Sequence, residues 1–164
     1  MRKKGFTIIE MLLVITLIGA LTYMFYPRVM NTQEKRILEN TARDILTTLQ
    51  QAKFQAVRTK VNHRVTFANK TGVWLFTIEK ENTQDEWNPL PGRIRKTISP
   101  KFNVNVNLPN QSVIFSPLGL ISNFSCDQNS ITIQSQKLKS YSHDDQRTIN
   151  VFAGGSIAYV KSQS

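Results

Sequence analysis

Glu10 is the single formal charge between Phe6 and Tyr26. A carboxylate near the edge of hydrocarbon costs a few kcal/mol, so its chemistry is pairing with a cation rather than turnover. Other candidates for chemistry are few. His63 and His143 are the only histidines, and neither stands at ligand spacing from the only cysteine, Cys126. His143, Asp144 and Asp145 bring acids and a base together, but they lie among Ser140, Ser142 and Gln146 and read as a solvated loop. No phosphate-cradling glycine loop or nucleophile elbow is present. The sequence therefore offers no catalytic residue, metal site or cofactor, and it is not read as an enzyme. With one cysteine no intrachain disulfide can form. Cys126 follows Phe124 and is expected in or near a strand as a buried, inert thiol.

The elements that must position Glu10 come next. Residues 6–26 form an apolar run that would span roughly 31 Å as a helix. An ordinary secretory signal would need small residues at its far end; after Ala20 come Leu21, Thr22, Tyr23 and Met24. A plain anchor fits the length, with Arg2, Lys3 and Lys4 holding that end in the cytoplasm, but it leaves Glu10 without a purpose.

The stretch Lys4-Gly5-Phe6-Thr7-Ile8-Ile9-Glu10-Met11-Leu12-Leu13-Val14 resembles the class III signal of type IV prepilins and type II secretion pseudopilins. The resemblance implies that a prepilin peptidase/N-methyltransferase cuts after Gly5 on the cytoplasmic side and methylates the new terminus, Phe6. Residues 1–5 are then a leader and residues 6–27 a retained transmembrane and filament-core helix. It also implies a single pass through the bacterial inner membrane, a periplasmic head, and later residence in a filament with other minor and major pilins or pseudopilins. Glu10 would dock on the terminal amine of a neighbouring Phe6. Gly19 and Pro27 match the family's glycine and proline, which implies a bend at Pro27. Losing Arg2, Lys3 and Lys4 leaves 18 basic residues of 21 against 11 acidic ones, so the formal charge falls from +10 to +7.

Beyond Pro27 the pattern turns amphipathic. Leu38, Ala42, Ile45, Leu49, Ala52 and Ala56 recur at steps of four and three, one apolar stripe on a helix over residues 28–60. Glu39 and Arg43 face water as an i,i+4 pair. From Val61 the period becomes two: Val65 and Phe67 alternate, Val73 to Ile78 reads as a strand buried on both faces, and Phe102, Val104, Val106 and Leu108 alternate with asparagines. Further strands are expected at Val113 to Phe115, Ile131 to Ile133, Ile149 to Phe152 and Ile157 to Val160. They total seven or eight, with turns at Asn69 to Gly72, Asn88 to Gly92, Pro109-Asn110 and Pro117 to Gly119. Gly154-Gly155 suits a two-residue hairpin. The order implies an α+β fold, a long N-terminal helix packed on an antiparallel β head over residues 61–164.

Within the family, the helix running into Val65-Thr66-Phe67 resembles minor subunits of the GspH/FimT/FimU type. Ile114-Phe115-Ser116-Pro117-Leu118-Gly119 and the closing hairpin look similar to theirs as well. Trp87-Asn88-Pro89-Leu90-Pro91 resembles type II secretion heads, while the glycine motif and hairpin look at home in type IV pili. The resemblance implies a non-catalytic subunit at or near a filament tip that primes assembly. The alternative is a DNA-binding minor pilin used in uptake. Its basic residues would be Arg93, Arg95 and Lys96, because the tail from Gly155 to Lys161 lacks the family's glycine-arginine motif.

Overall fold

The computed structural model describes residues 7–82, 86–90, 95–140 and 144–163, with the side chains of residues 25–30 outside that description. One helix, α1 (Ile8–Thr59), takes up the N-terminal third of the chain. Thr7 caps its start, with Oγ1 accepting the Glu10 backbone N–H at 3.3 Å. Lys60, in the left-handed region at φ 59°, ends it. The helix continues through Gly19 and Pro27, so the bend expected at Pro27 is not accompanied by a break.

The strands follow in chain order: β1 (His63–Lys70), β2 (Val73–Glu81), β3 (Trp87–Pro89), β4 (Lys96–Thr97), β5 (Phe102–Asn107), β6 (Ser112–Phe115) and β7 (Ser130–Ser135). A short helix, α2 (Gln136–Ser140), precedes β8 (Gln146–Val151) and β9 (Ile157–Ser162). Two antiparallel sheets result. In the first, β3-β2-β1-β6 lie side by side and β4 also pairs with β2; the second runs β5-β7-β8-β9.

The core lies where α1 meets both sheets. Leu38, Ala42, Ile45, Leu49, Ala52 and Ala56 are all 0% exposed, so the four-three spacing turns every one of them inward. Three of the six are alanine, and small side chains let the helix backbone approach the strands closely. Period-two alternation supplies the opposing faces. Val65, Phe67, Phe76, Ile78, Val113 and Phe115 come from the first sheet, and Val104, Ile131, Ile133, Ile149 and Val151 from the second. Register pairs Val65 with Ile78 and Phe67 with Phe76, whose rings stack at 5.9 Å between centroids.

Four expectations change. The described residues hold nine strands, because β3 forms where Asn88 to Gly92 read as a turn and β4 adds a two-residue edge. β2 buries only Phe76 and Ile78 fully, since α1 covers one face of its sheet and the other face is only half-covered. The last hairpin has a three-residue loop. Phe152 N–H donates to Ser156 O at 3.0 Å and Gly155 N–H to Phe152 O at 2.7 Å, with only Gly155 of the glycine pair at positive φ, 71°. A two-residue type I′ turn needs positive φ at both central residues. Cys126 is exposed in a bend outside any strand, not buried.

Candidate assembly site

From Ile8 to Met24 every residue of α1 is exposed. Every large apolar side chain described from Ile8 to Met24 is exposed, from 43% at Val14 to 86% at Tyr23. Soluble monomers rarely leave a contiguous apolar surface of this extent bare. Glu10 lies exposed within it. Its backbone is capped by Thr7, while its carboxylate makes no ion pair with any described residue. Gly5 and Phe6 lie outside the described residues. Among the described residues no helix is long and apolar enough to cross a membrane.

The second half of α1 is fixed to the head at two levels. Where α1 first becomes buried, Ser135 Oγ donates to Glu34 Oε1 at 3.2 Å, and Lys161 Nζ donates to Glu39 Oε1 at 3.0 Å. Glu39 also accepts Arg43 Nη2 at 2.9 Å. Arg43 first, then Lys161, holds the Glu39 carboxyl down to about 2. At the far end, the segment between β6 and β7 joins the two sheets. Phe115 bridges Ile121, Ser122 N–H donates to Ile114 O, and Ile121 N–H donates to Ala153 O at 3.0 Å. Here Gly119 and Gly155, both at positive φ, sit in contact beneath α1, and Lys53 Nζ donates to Gly155 O at 2.9 Å. A Cβ built on Gly155 would overlap the Gly119 carbonyl oxygen. The two glycine-bearing motifs of the sequence are thus halves of one joint.

His63 is fully buried at the start of β1, with Nδ1 2.9 Å from Val61 O and Nε2 without a partner. Burial lowers its pKa, and Lys80 pushes the same way against the Val61 bond. His143 lies outside the described residues. Asp144 is exposed and 3.8 Å from Lys35. Asp145 is not in a solvated loop: it is 0% exposed and accepts Gln134 Nε2 at 2.9 Å. Arg147, also 0% exposed, gives Nη1 to the carbonyls of Gln146 and Asp144. A signal for Arg147 stood in the sequence, since it shares the inward register of Ile149 and Val151. No described group of His, Cys, Asp and Glu could hold a metal ion.

The three residues considered for nucleic acid are not presented together. Lys96 is committed to Asp44 at 2.7 Å, Arg95 is exposed without an ion pair to any described residue, and Arg93 lies outside the described residues. Trp87, on β3, packs under Arg64, whose guanidinium carbon is 4.4 Å from the ring centroid.

A helix bare from Ile8 to Met24 and roofed by two antiparallel sheets from Leu38 onward defines a pilin-like subunit. Residues 41–155 match the family described as type II transport protein GspH, and residues 1–22 match the prokaryotic N-terminal methylation motif. The chain belongs to the GspH family of minor pilins and pseudopilins, whose members are structural subunits. Among solved structures it is similar to the minor pseudopilin EpsH from the Type 2 Secretion System of Vibrio cholerae. The TM-score is 0.57 at 11% identity, over 75% of this chain and 95% of that one. It is also similar to the type IV minor pilin FimU of Pseudomonas aeruginosa, with TM-scores of 0.50 and 0.53 in two crystal forms. Identity there is 17% in both, over 77% and 81% of this chain and 98% of FimU. At these identities the likeness concerns the fold. No curated protein sequence matches the chain.

Proposed function

We propose that the chain is a minor pilin or pseudopilin, cut after Gly5 by prepilin peptidase and N-methylated at Phe6. Helix 6–27 holds it in the bacterial inner membrane, with its N-terminus cytoplasmic and its head periplasmic. It then enters a type IV pilus or type II secretion pseudopilus at or near the tip and primes assembly with other subunits. The observation that carries this reading is the bare apolar first half of α1 with one exposed carboxylate, Glu10, near its start. Lipid can cover the apolar side chains, and so can the same segment of neighbouring subunits. Glu10 is satisfied only by a cation at the same depth, which the methylated amine of a neighbouring Phe6 supplies on assembly. Pairing of this kind sets register more than stability.

The test is Glu10→Ala beside Glu10→Val. Both variants should be clipped and should reach the membrane in normal amounts, while their share in sheared filaments falls. Normal incorporation of either variant refutes the pairing role.

A further inference from the structure

The end of the head through which α1 leaves carries cations that form no ion pair with any described residue. Register places α2 there: Phe102 opposes Ser135, Gln146 opposes Ser162, and Ser135 bonds Glu34 on the first buried turn of α1. Lys137 and Lys139 stand exposed on α2 to either side of the buried Leu138. Lys101 adjoins them, one residue before the pair Phe102 and Ser135, and Arg36 is exposed on the neighbouring turn of α1. None of these four is in an ion pair with a described residue, while Lys35, Arg43 and Lys161 at the same end are all engaged by acids. The acids of this end are spent: Glu34 and Asp145 are buried, Glu39 is shared by two cations, and Asp144 faces Lys35. The outcome is a cationic collar at the end of the head where the rod leaves.

We propose that this collar, built on Lys101, Lys137, Lys139 and Arg36, docks the head on the anionic phospholipid headgroups of the outer leaflet before the subunit is drawn into a filament. The inference rests on the membrane-spanning reading of residues 6–27. The apolar run ends at Tyr26, and Glu34 lies eight residues on, about 12 Å along a helix. Headgroups extend about 5–8 Å beyond the hydrocarbon, and the screening length at 0.1 M salt is about 10 Å. Flexible lysines hanging from α2 therefore work inside the field of the surface. Orientation does not account for them, because the positive-inside preference is already met by Arg2, Lys3 and Lys4 on the other side. Nucleic acid is the less suited partner, since these cations lie at the end of the head from which the membrane-held rod leaves, next to the bilayer.

The experiment uses the full chain in vesicles of phosphatidylcholine, with and without phosphatidylglycerol. A fluorophore is placed at position 140 (Ser140→Cys with Cys126→Ser) and read by quenching from a headgroup nitroxide lipid. Flotation after an alkaline wash reports the anchor independently. Quenching should be strong only with phosphatidylglycerol and should vanish at about 1 M salt, where the screening length is about 3 Å. The triple change Lys101→Gln, Lys137→Gln, Lys139→Gln should lower the docked-to-free ratio about 100-fold, at roughly fivefold per cation. The corresponding Lys→Arg triple should keep it. Equal quenching in both lipids, or no loss in the Gln triple, overturns the docking while flotation still upholds the anchor. Chains that fail to float overturn both. Retardation of duplex DNA that needs the same three lysines, without phosphatidylglycerol dependence of quenching, reassigns the collar to nucleic acid and overturns the proposal.

Discussion

Replacing Gly155 with alanine should be among the most damaging single-methyl changes in the head. The residue sits at φ 71°, and an L side chain in the left-handed region costs about 1–2 kcal/mol. Its Cβ would overlap Gly119 O, so the segment joining the two sheets must move or the hairpin must lift. Lifting the hairpin also breaks the Lys53 Nζ to Gly155 O bond, a charge-assisted contact worth about 1.5–3 kcal/mol. Together these give about 3–5 kcal/mol, a large part of the 5–15 kcal/mol typical of a domain. Gly119→Ala meets the same backbone penalty at φ 76°. Its Cβ lies 3.1 Å from Lys53 Cε, which can swing away, and 3.3 Å from Val57 Cγ2. About 2 kcal/mol is expected there. At Gly154 nothing lies within 4 Å, so Gly154→Ala should stay within about 0.5 kcal/mol of wild type. Urea unfolding of the detergent-solubilised chain, followed by the fluorescence of Trp74 and Trp87 in the first sheet, reads all three. At a typical slope the Gly155→Ala midpoint drops by about 2 M. Should Gly155→Ala prove no worse than Gly119→Ala, or Gly154→Ala as harmful as either, the joint is not built as described.

Three other expectations are open to the same assay. Burial lowers the His63 pKa from 6.5, so below pH 6.5 the unfolded chain binds the proton that the folded chain refuses, and stability falls as pH falls. The slope lies between 6.5 and the lower folded value and is bounded by the one-proton limit of about 1.4 kcal/mol per pH unit. His63→Gln should remove it, and parallel pH profiles of the two proteins would exclude His63 as its source. Ala52→Leu places three extra carbons on a fully buried face of α1 and should cost about 1–3 kcal/mol. Phe54→Ala on the outer face, 62% exposed, should change stability by less than about 0.5 kcal/mol.

The buried stripe from Leu38 to Ala56 was legible because a 3.6-residue period is a property of spacing alone, and the same holds for the alternating strands. Features that depend on tertiary neighbours were not. Gly154 and Gly155 look equivalent as letters, yet only Gly155 carries the positive φ that fixes a three-residue loop. Asp145 sits in polar sequence with no period to mark it, yet it is buried and bonded to Gln134 on the neighbouring strand. Cys126 borrowed an expectation of burial from Phe124, although it lies exposed in a bend outside any strand. β3 and β4 are too short to produce a period and exist because β2 offers an unpaired edge. At the assembly site, Glu10 stood out as one charge in an apolar run, and the structure adds that the entire surrounding surface is uncovered.

The direction of α1 has a mechanical consequence. Its buried contacts run from Leu38 to Ala56 along the helix axis, a track of about 27 Å, with Glu34 and Glu39 bonded to strand ends near its start and Lys53 to the last hairpin loop near its finish. A pull on the N-terminal half therefore acts parallel to the whole interface and loads those contacts together in shear. They cannot give way one after another as the rungs of a hairpin do when it is peeled. A subunit levered out of its surroundings by the rod would thus carry its head along as a rigid load.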